Sequence, residues 1–152
     1  MTSDGTRSFL DRFVHAWERQ DVKALAECYA PDCVVFSPIF QTLNGRSQVE
    51  RSYTDLFRAF SHQKVRVDDI IISDEDPVRA VIVWTAESTH VGEIFGMAAS
   101  GKRIERTLAY ILTLRDGLIV KEARMYDFTN MLLQLGVLRA RPGKQASEPA
   151  GH

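Results

Sequence analysis

The chain has 152 residues, of which 45% are hydrophobic and 26% charged, and a formal net charge of −1 at pH 7. This length is enough for one domain with a sizeable core, and the small net charge gives no reason to expect nucleic acid or an anionic membrane as a partner. Because no apolar run reaches the roughly 18 residues of a membrane span and the start MTSDGTRS lacks the order of a signal peptide, we expect a cytoplasmic protein.

The first third of the sequence predicts two helices. Phe9, Phe13 and Trp17 recur every four residues, which gives a first helix a strongly apolar face. Asp21 can cap a second, shorter helix over residues 22–29. Both helices are amphipathic, so we expect them to pack on a common core.

A break, a short strand and a third helix follow. The segment Ala30-Pro31-Asp32 is expected to end the second helix. Residues 33–37 predict a short strand, and a loop continues to residue 45. Ser47 with Glu50 three residues later is typical of a capping box that opens a third helix ending at residue 60.

The second half of the sequence is rich in strand-forming residues. Asp116-Gly117 lies between two of the runs and predicts a tight hairpin turn. Asp127 can cap a closing helix over residues 128–135, and Gly136 stands where a helix commonly ends in a left-handed conformation. The runs that predict strands are residues 63–73, 78–89, 104–114 and 118–126.

This order of elements predicts an α+β fold, in which a curved antiparallel sheet packs on three N-terminal helices. Because helices do not fill a strongly bent sheet completely, we expect a pocket on its concave face. The flat outer face would pair with a second copy, so we expect a homodimer. Residues 1–138 are expected to form one domain, and residues 139–152, with Pro142 and Pro149, a flexible tail.

Several motifs resemble the nuclear-transport-factor-2-like superfamily, namely YAPDCVV after the second helix and Gly45-Arg46 before the third. Within it, THVGEIFGM, SGKR and YDFTNMLLQLG resemble the SnoaL-like polyketide cyclase branch, which is often labelled ester cyclase. The resemblance extends over roughly residues 9–138. It implies a cone-shaped α+β barrel, often a homodimer, that holds a small apolar substrate and needs no metal or organic cofactor.

Comparison with these families, residue by residue, leaves the reaction open. Aldol-type cyclases and limonene-epoxide-hydrolase-like relatives have an acid/base aspartate where this chain has Arg124. Ketosteroid-isomerase-like relatives use a tyrosine and an aspartate where this chain has Phe13 and Ser37. One hypothesis is a cofactor-independent cyclase or isomerase for an apolar carbonyl-containing polyketide, terpenoid or steroid. The alternatives are a non-catalytic ligand-binding protein on the same scaffold and an epoxide-hydrolase-like enzyme.

Three residues are candidate catalytic groups. Arg124 lies on the strand face that lines the pocket in relatives, where it can bind a carboxylate or stabilise an enolate; the alternative is an ion pair with Glu122 on a solvated face. His90 can titrate near neutrality and transfer a proton, or it can be a structural histidine that bonds the hairpin backbone. Asp127 can act as an acid or base at the pocket mouth, or only as a helix cap.

Eight further residues are candidate substrate contacts. Most are aromatic, and aromatic side chains are the usual walls of a small-molecule pocket, although many of them also build the core. By strand register, Arg106 shares the pocket-facing side with Tyr110. No cluster of His, Cys or carboxylate residues has the spacing of metal ligands, so we expect no metal. The candidate contacts are Trp17, Phe36, Tyr53, Phe57, Trp84, Arg106, Tyr110 and Tyr126.

Overall fold

This computed structural model describes residues 2–139 and 141, which contain four helices and six strands. The tail predicted for residues 139–152 lies outside the described residues, apart from Arg139 and Arg141. The helices are α1 (Ser3–Glu18), α2 (Val22–Ala26), α3 (Arg46–Ala59) and α4 (Phe128–Leu135). The strands are β1 (Tyr29–Ser37), β2 (Gln41–Asn44), β3 (Phe60–Ser73), β4 (Val78–His90), β5 (Arg103–Arg115) and β6 (Leu118–Tyr126).

The strands form one open, curved sheet in the order β2-β1-β6-β5-β4-β3. Strand β1 runs parallel to β6, and the other neighbouring pairs are antiparallel. The α+β fold is confirmed, but the expected antiparallel sheet is corrected to a mixed one. The reason is topological, because parallel neighbours need a long crossover, and α3 with the meander β3–β5 supplies it between β1 and β6.

The second helix is shorter than predicted. It ends at Ala26, and the segment from Tyr29 that includes Pro31 belongs to strand β1. The guanidinium of Arg46 donates two hydrogen bonds of 2.8 and 2.6 Å to the Tyr29 carbonyl. Gly45 N–H donates to the Cys33 carbonyl at 2.7 Å. These contacts from the start of α3 hold residues 29–33 extended.

The start of α3 also differs from the prediction. Gly45 is the N-cap residue and no side chain caps the helix, so the capping box of Ser47 and Glu50 is wrong. Instead, the Gln48 side chain accepts a hydrogen bond from Asn44 N–H at 2.8 Å. The short strand β2 was not predicted, since its four residues are mostly exposed and lack an apolar alternation.

The second half of the chain matches the prediction closely. Asp116 and Gly117 have φ values of 53° and 75°, the positive pair that a tight type I′ hairpin requires. Helix α4 begins behind Asp127 and ends at Gly136, whose φ is 82°. No helix among the described residues is long and apolar enough to cross a membrane.

Helix α4 takes the place of a strand beside β5. Pairing between β5 and β6 stops at Leu108 and Tyr126, which leaves residues 103–107 without a neighbour on that side. The Gln134 side chain accepts from Glu105 N–H at 2.9 Å and donates to the Glu105 carbonyl at 2.8 Å. A side-chain amide thus continues the ladder where β6 has ended.

The core lies between the concave face of the sheet and helices α1–α3, and aromatic side chains dominate it. Trp84 lies 5.0 Å from both Trp17 and Tyr110, measured between ring centroids. Phe13 contacts Trp84 and Tyr110 at 6.2 and 6.1 Å. All four side chains are fully or almost fully buried, so the aromatic set acts first as core packing.

Candidate functional site

A small cavity lies between the concave face of the sheet and helices α1 and α3. Its volume is about 10 Å³, roughly the room that one water molecule needs. A substrate can therefore bind there only if part of the wall moves. The lining residues are Trp17, Ser37, Ile39, Phe40, Leu56, Arg106, Leu108, Tyr110, Arg124 and Tyr126.

Arg124 is held at this cavity by a buried ion pair. Its Nε lies 2.6 Å from Glu122 Oε2, and the two side chains are only 2% and 0% exposed. The other Glu122 oxygen accepts from the Tyr29 hydroxyl at 2.7 Å. The Tyr29 hydroxyl lies 2.7 Å from that of Tyr53, and since it already donates to Glu122, Tyr53 must donate to it. The ion pair with Glu122, which was the alternative to a pocket role for Arg124, is present, but it lies inside the protein and not on a solvated face.

Two aromatic rings enclose the guanidinium of Arg124. Its Cζ lies 4.6 Å from the ring centroid of Tyr53 and 5.6 Å from that of Tyr110, within cation–π range. Burial lowers the pKa of Arg124, but the phenols of Tyr53 and Tyr110 and the carboxylate of Glu122 raise it more, so the net pKa shift is upward. The guanidinium is therefore a permanent positive charge at the cavity wall.

The tyrosines of this network stay protonated. Burial and the negative charge of Glu122 raise the pKa of Tyr29 well above its usual value. Burial also raises the pKa of Tyr53, although Arg124 opposes the shift. For Tyr110, burial raises the pKa to about 12. Each phenol is consequently a hydrogen-bond donor at neutral pH, not a base.

Arg106 is a second buried arginine at the same cavity. Its side chain faces inward from β5, the residue is 5% exposed, and its Nε and Nη2 have no hydrogen-bond partner. Its Cζ lies 5.5 Å from the ring centroid of Phe60. Burial lowers the pKa of Arg106, as expected for a cation removed from water.

The remaining predicted contacts occupy different places. Trp84, Tyr53 and Phe57 are buried in the core but do not line the cavity. Phe36 lies on the opposite, convex face of the sheet and is 44% exposed. Since side chains alternate along β1, Ser37 faces the cavity and Phe36 does not.

His90 also lies away from the cavity lining. Its ring is fully buried and packs 5.3 Å from Phe60 between centroids. Nδ1 accepts a hydrogen bond from Ser100 N–H at 3.1 Å and lies 2.8 Å from the Ser100 hydroxyl. This is the position of a structural histidine that holds the loop after β4, so its proton-transfer role stays a prediction without geometric support.

Asp127 acts as a helix cap. Its Oδ1 accepts from Asn130 N–H at 2.8 Å, and the residue is exposed. It borders an outer cleft of about 400 Å³ between β5 and α4. Arg106 borders both this cleft and the inner cavity. The cleft is lined by Glu105, Arg106, Thr107, Asp127, Asn130 and Gln134.

A second groove on the surface does not form the site, and the described residues offer no metal site. A groove of about 660 Å³ runs beside α1 and α2 and includes Arg12, His15 and Glu27, but these side chains are exposed and no predicted site residue lines it. Among the described residues, no group of three or more His, Cys, Asp or Glu side chains is close enough together to hold a metal ion.

Sequence reasoning missed Tyr29, Phe40 and the buried state of Glu122. Tyr29 was assigned to a helix, and Phe40 lies in the turn between β1 and β2. For Glu122, alternation along the strand gives no clear signal, because a register irregularity between β5 and β6 makes Ile119, and not Val120, the preceding buried residue of β6. That irregularity between β5 and β6 is invisible in the sequence.

The geometry and topology define a nuclear-transport-factor-2-like domain. A model of the SnoaL-like polyketide cyclase family matches residues 7–135, and the chain belongs to this family. It thus has the scaffold of a family of small-molecule enzymes. No curated protein matches the chain significantly.

Solved structures support the same fold. AclR from Streptomyces galilaeus, a candidate hydroxylase, is 24% identical with a TM-score of 0.79, and the match covers 91% of this chain and 100% of AclR. IdmH from Streptomyces antibioticus, a candidate polyketide cyclase, is 24% identical with a TM-score of 0.70 over 86% of this chain and 97% of IdmH. A candidate SnoaL-like polyketide cyclase from Jannaschia sp. CCS1 is 18% identical with a TM-score of 0.75, and the match covers 95% of this chain and 93% of the Jannaschia protein. At such identities the likeness concerns the fold.

Breaking the buried ion pair should destabilise the protein strongly. Glu122→Leu leaves Arg124 as an unpaired buried charge, which typically costs about 3–5 kcal/mol of unfolding free energy. Glu122→Leu with Arg124→Leu removes both charges and should recover most of that loss. Urea unfolding of the two single variants and the double variant measures the coupling.

The exposed pair of Arg66 and Asp68, whose arginine side chain is 71% exposed, is the matched control. Its coupling should be much weaker than that of the buried pair, because solvent screens the charges of an exposed pair. If the coupling of Glu122 and Arg124 is no larger than that of the exposed pair, the buried ion pair does not stabilise the fold as expected.

Two substitutions at Asp127 separate its cap from a catalytic role. Asp127→Ala should lower the unfolding free energy by about 1 kcal/mol, whereas Asp127→Asn should be nearly neutral, because asparagine caps helices as well as aspartate does. Urea unfolding measures both. If Asp127→Asn keeps its stability and loses turnover of a substrate, the carboxylate has a chemical role beyond the cap.

Proposed function

We propose that the protein is a cyclase or isomerase that acts without a cofactor on an apolar carbonyl-containing substrate such as a polyketide, terpenoid or steroid. The observation that carries this proposal is Arg124. The Glu122 pair fixes its guanidinium, and its Nη2 has no hydrogen-bond partner at a cavity walled by aromatic rings. A preorganised cation of this kind stabilises the negative charge that develops on a carbonyl oxygen when an enolate forms.

Tyr110 supports the same chemistry. Its phenol lines the cavity and has a pKa of about 12, so it can donate a hydrogen bond to the same carbonyl oxygen without losing its proton. Together with Arg124 it forms a pair of donors for one oxygen. Burial of the apolar substrate body contributes about 25 cal/mol per Å² of apolar area to binding.

Phe40 is the part of the wall that has space to move. Its half-buried ring borders the cavity and also a second pocket of about 160 Å³. A cavity of about 150 Å³ is large enough to bind a benzene ring, so the Phe40 ring can turn into the second pocket and open the first. This movement would provide the room that the cavity itself lacks.

A non-catalytic ligand-binding protein is the second candidate. The observation that favours it is the lining of the cavity, which among the described residues includes no carboxylate and no imidazole. A proton acceptor for enolate formation must then come from the substrate or from water.

Phe40→Ala should increase affinity for apolar ketones, because it removes the ring that closes the cavity. We expect binding at least about 10-fold tighter than to the wild type if opening the wall costs about 1.4 kcal/mol. Thermal-shift screening with polyketide-like, terpenoid and steroid ketones finds the ligand, and calorimetry measures its affinity. Equal affinity for both proteins would contradict Phe40 as the closing residue.

The enzyme and the binding protein differ in turnover. Each ligand found by the screen is incubated with protein and analysed by mass spectrometry and NMR. If product forms, Arg124→Gln combined with Glu122→Gln, which avoids an unpaired charge, should lower turnover by about 100-fold. Arg66→Gln, on the convex face, is the control and should not change it. Binding without product for every ligand would favour the binding protein.

We also propose a homodimer formed through the convex face of the sheet. An apolar row crosses five strands there, because Phe36 pairs with Ala123, Ala123 with Ile111, Ile111 with Val81, and Val81 with Ile71. Phe36 and Ile71 are 44% and 56% exposed. A continuous apolar face of this kind is typical of an interface, and a second copy offers the same surface under two-fold symmetry.

Phe36→Asp should weaken this dimer, because it places a carboxylate in the apolar row that the dimer would bury. We expect sedimentation velocity to show a dimer for the wild type at micromolar concentration and a dissociation constant raised at least about 10-fold for the variant. Val91→Asp, at an equally exposed apolar residue in the loop after β4, is the control. If the wild type sediments as a monomer at this concentration, the proposed homodimer is contradicted.

A further inference from the structure

The cavity carries more positive charge than negative charge. Arg106 and Arg124 both line it, and Glu122 is paired with Arg124 alone. Arg106 is 5% exposed and forms no ion pair with any described residue. The cavity wall therefore holds one guanidinium whose charge no carboxylate offsets.

Both arginines that line the cavity have buried donors without a partner. Arg106 Nε and Nη2 and Arg124 Nη2 are buried without a hydrogen-bond partner. The ring of Phe60 near Arg106 offsets less of the desolvation cost than a charge-assisted hydrogen bond would. A buried, uncompensated cation weakens folding, and proteins retain such costs at sites that serve function.

The two free donors of Arg106 define the shape of their partner. Nε and Nη2 lie on one edge of a planar guanidinium, and a planar group with two oxygens matches that edge with two parallel hydrogen bonds. The partner must reach Arg106 from the cavity side. On the other side, the outer cleft holds the carboxylates of Glu105 and Asp127, which repel an anion.

We propose that the ligand of this cavity carries a carboxylate, which binds edge-on to Nε and Nη2 of Arg106. The proposal rests on the proposed function, because it specifies the class of ligand that this cavity takes. It assigns the two arginines different tasks. Arg106 binds the fixed charge of the ligand, and Arg124 remains next to the carbonyl that reacts.

The first test compares acids with their methyl esters, which share size and shape but lack the charge. Benzoate, 2-naphthoate and anthracene-2-carboxylate are titrated against the protein beside their esters, with affinity measured by calorimetry. We expect the acids to bind at least 10-fold tighter than the esters. Arg106→Gln should weaken binding of the acids by about 10- to 100-fold and leave the esters unchanged.

Arg103→Gln is the control, since Arg103 lies on the same strand with an exposed side chain. It should leave both affinities unchanged. If no acid binds better than its ester, or if Arg106→Gln weakens acids and esters equally, the proposal is overturned.

The second test needs no ligand. Because Arg106 lacks a partner, Arg106→Met should raise the melting temperature of the free protein by a few degrees, whereas Arg124→Met should lower it, since it leaves Glu122 unpaired. In the presence of 2-naphthoate the wild type should gain stability and Arg106→Met should not. A lower melting temperature for free Arg106→Met would show a structural role for Arg106 and would overturn the proposal.

Failure of this proposal differs from failure of the proposed function. If esters or ketones bind as well as acids and are converted to product, the carboxylate proposal is wrong and the proposed enzyme function is supported. If binding is selective for acids and depends on Arg106, but no ligand is turned over, the carboxylate site is supported and the proposed enzyme function is contradicted.

Discussion

The ion pair of Glu122 and Arg124 is the interaction on which the site depends. Two full charges lie inside an aromatic core, and each must have partners to be tolerated there. Tyr29 satisfies the carboxylate, Tyr53 satisfies Tyr29, and the rings of Tyr53 and Tyr110 cover the guanidinium. Strands β1 and β6 and helix α3 are thereby joined through buried polar contacts. The same contacts point the free end of Arg124 at the cavity.

Much of the second half of the fold was predictable, because its signals are local. The Asp116-Gly117 turn, the Asp127 cap and the Gly136 stop each depend on the preference of one or two residues for a backbone conformation. The first half was less predictable. Arg46 binds the Tyr29 carbonyl in the segment after α2 from 17 residues away, and local sequence preferences do not reveal such a contact.

The site was predicted in part for a similar reason. Alternation along β6 placed Glu122, Arg124 and Tyr126 on one face, and that is confirmed. Charged residues on a strand normally indicate a solvated face, so their burial could not be read from β6 itself. It follows from the aromatic side chains that α1 and α3 bring against that face. The position of Phe36 depended on which face of β1 turns inward, and the register shift after Tyr29 hides that choice.

Helix α4 has a consequence for how the fold avoids unwanted association. Beyond the end of β6, the backbone of β5 would offer unpaired amide and carbonyl groups, the kind of edge to which another chain can add a strand. The Gln134 amide occupies the groups of Glu105 on that edge. Loss of α4 would therefore convert an internal strand into a template for intermolecular β-pairing, and aggregation would follow from an opened edge even with the hydrophobic core intact.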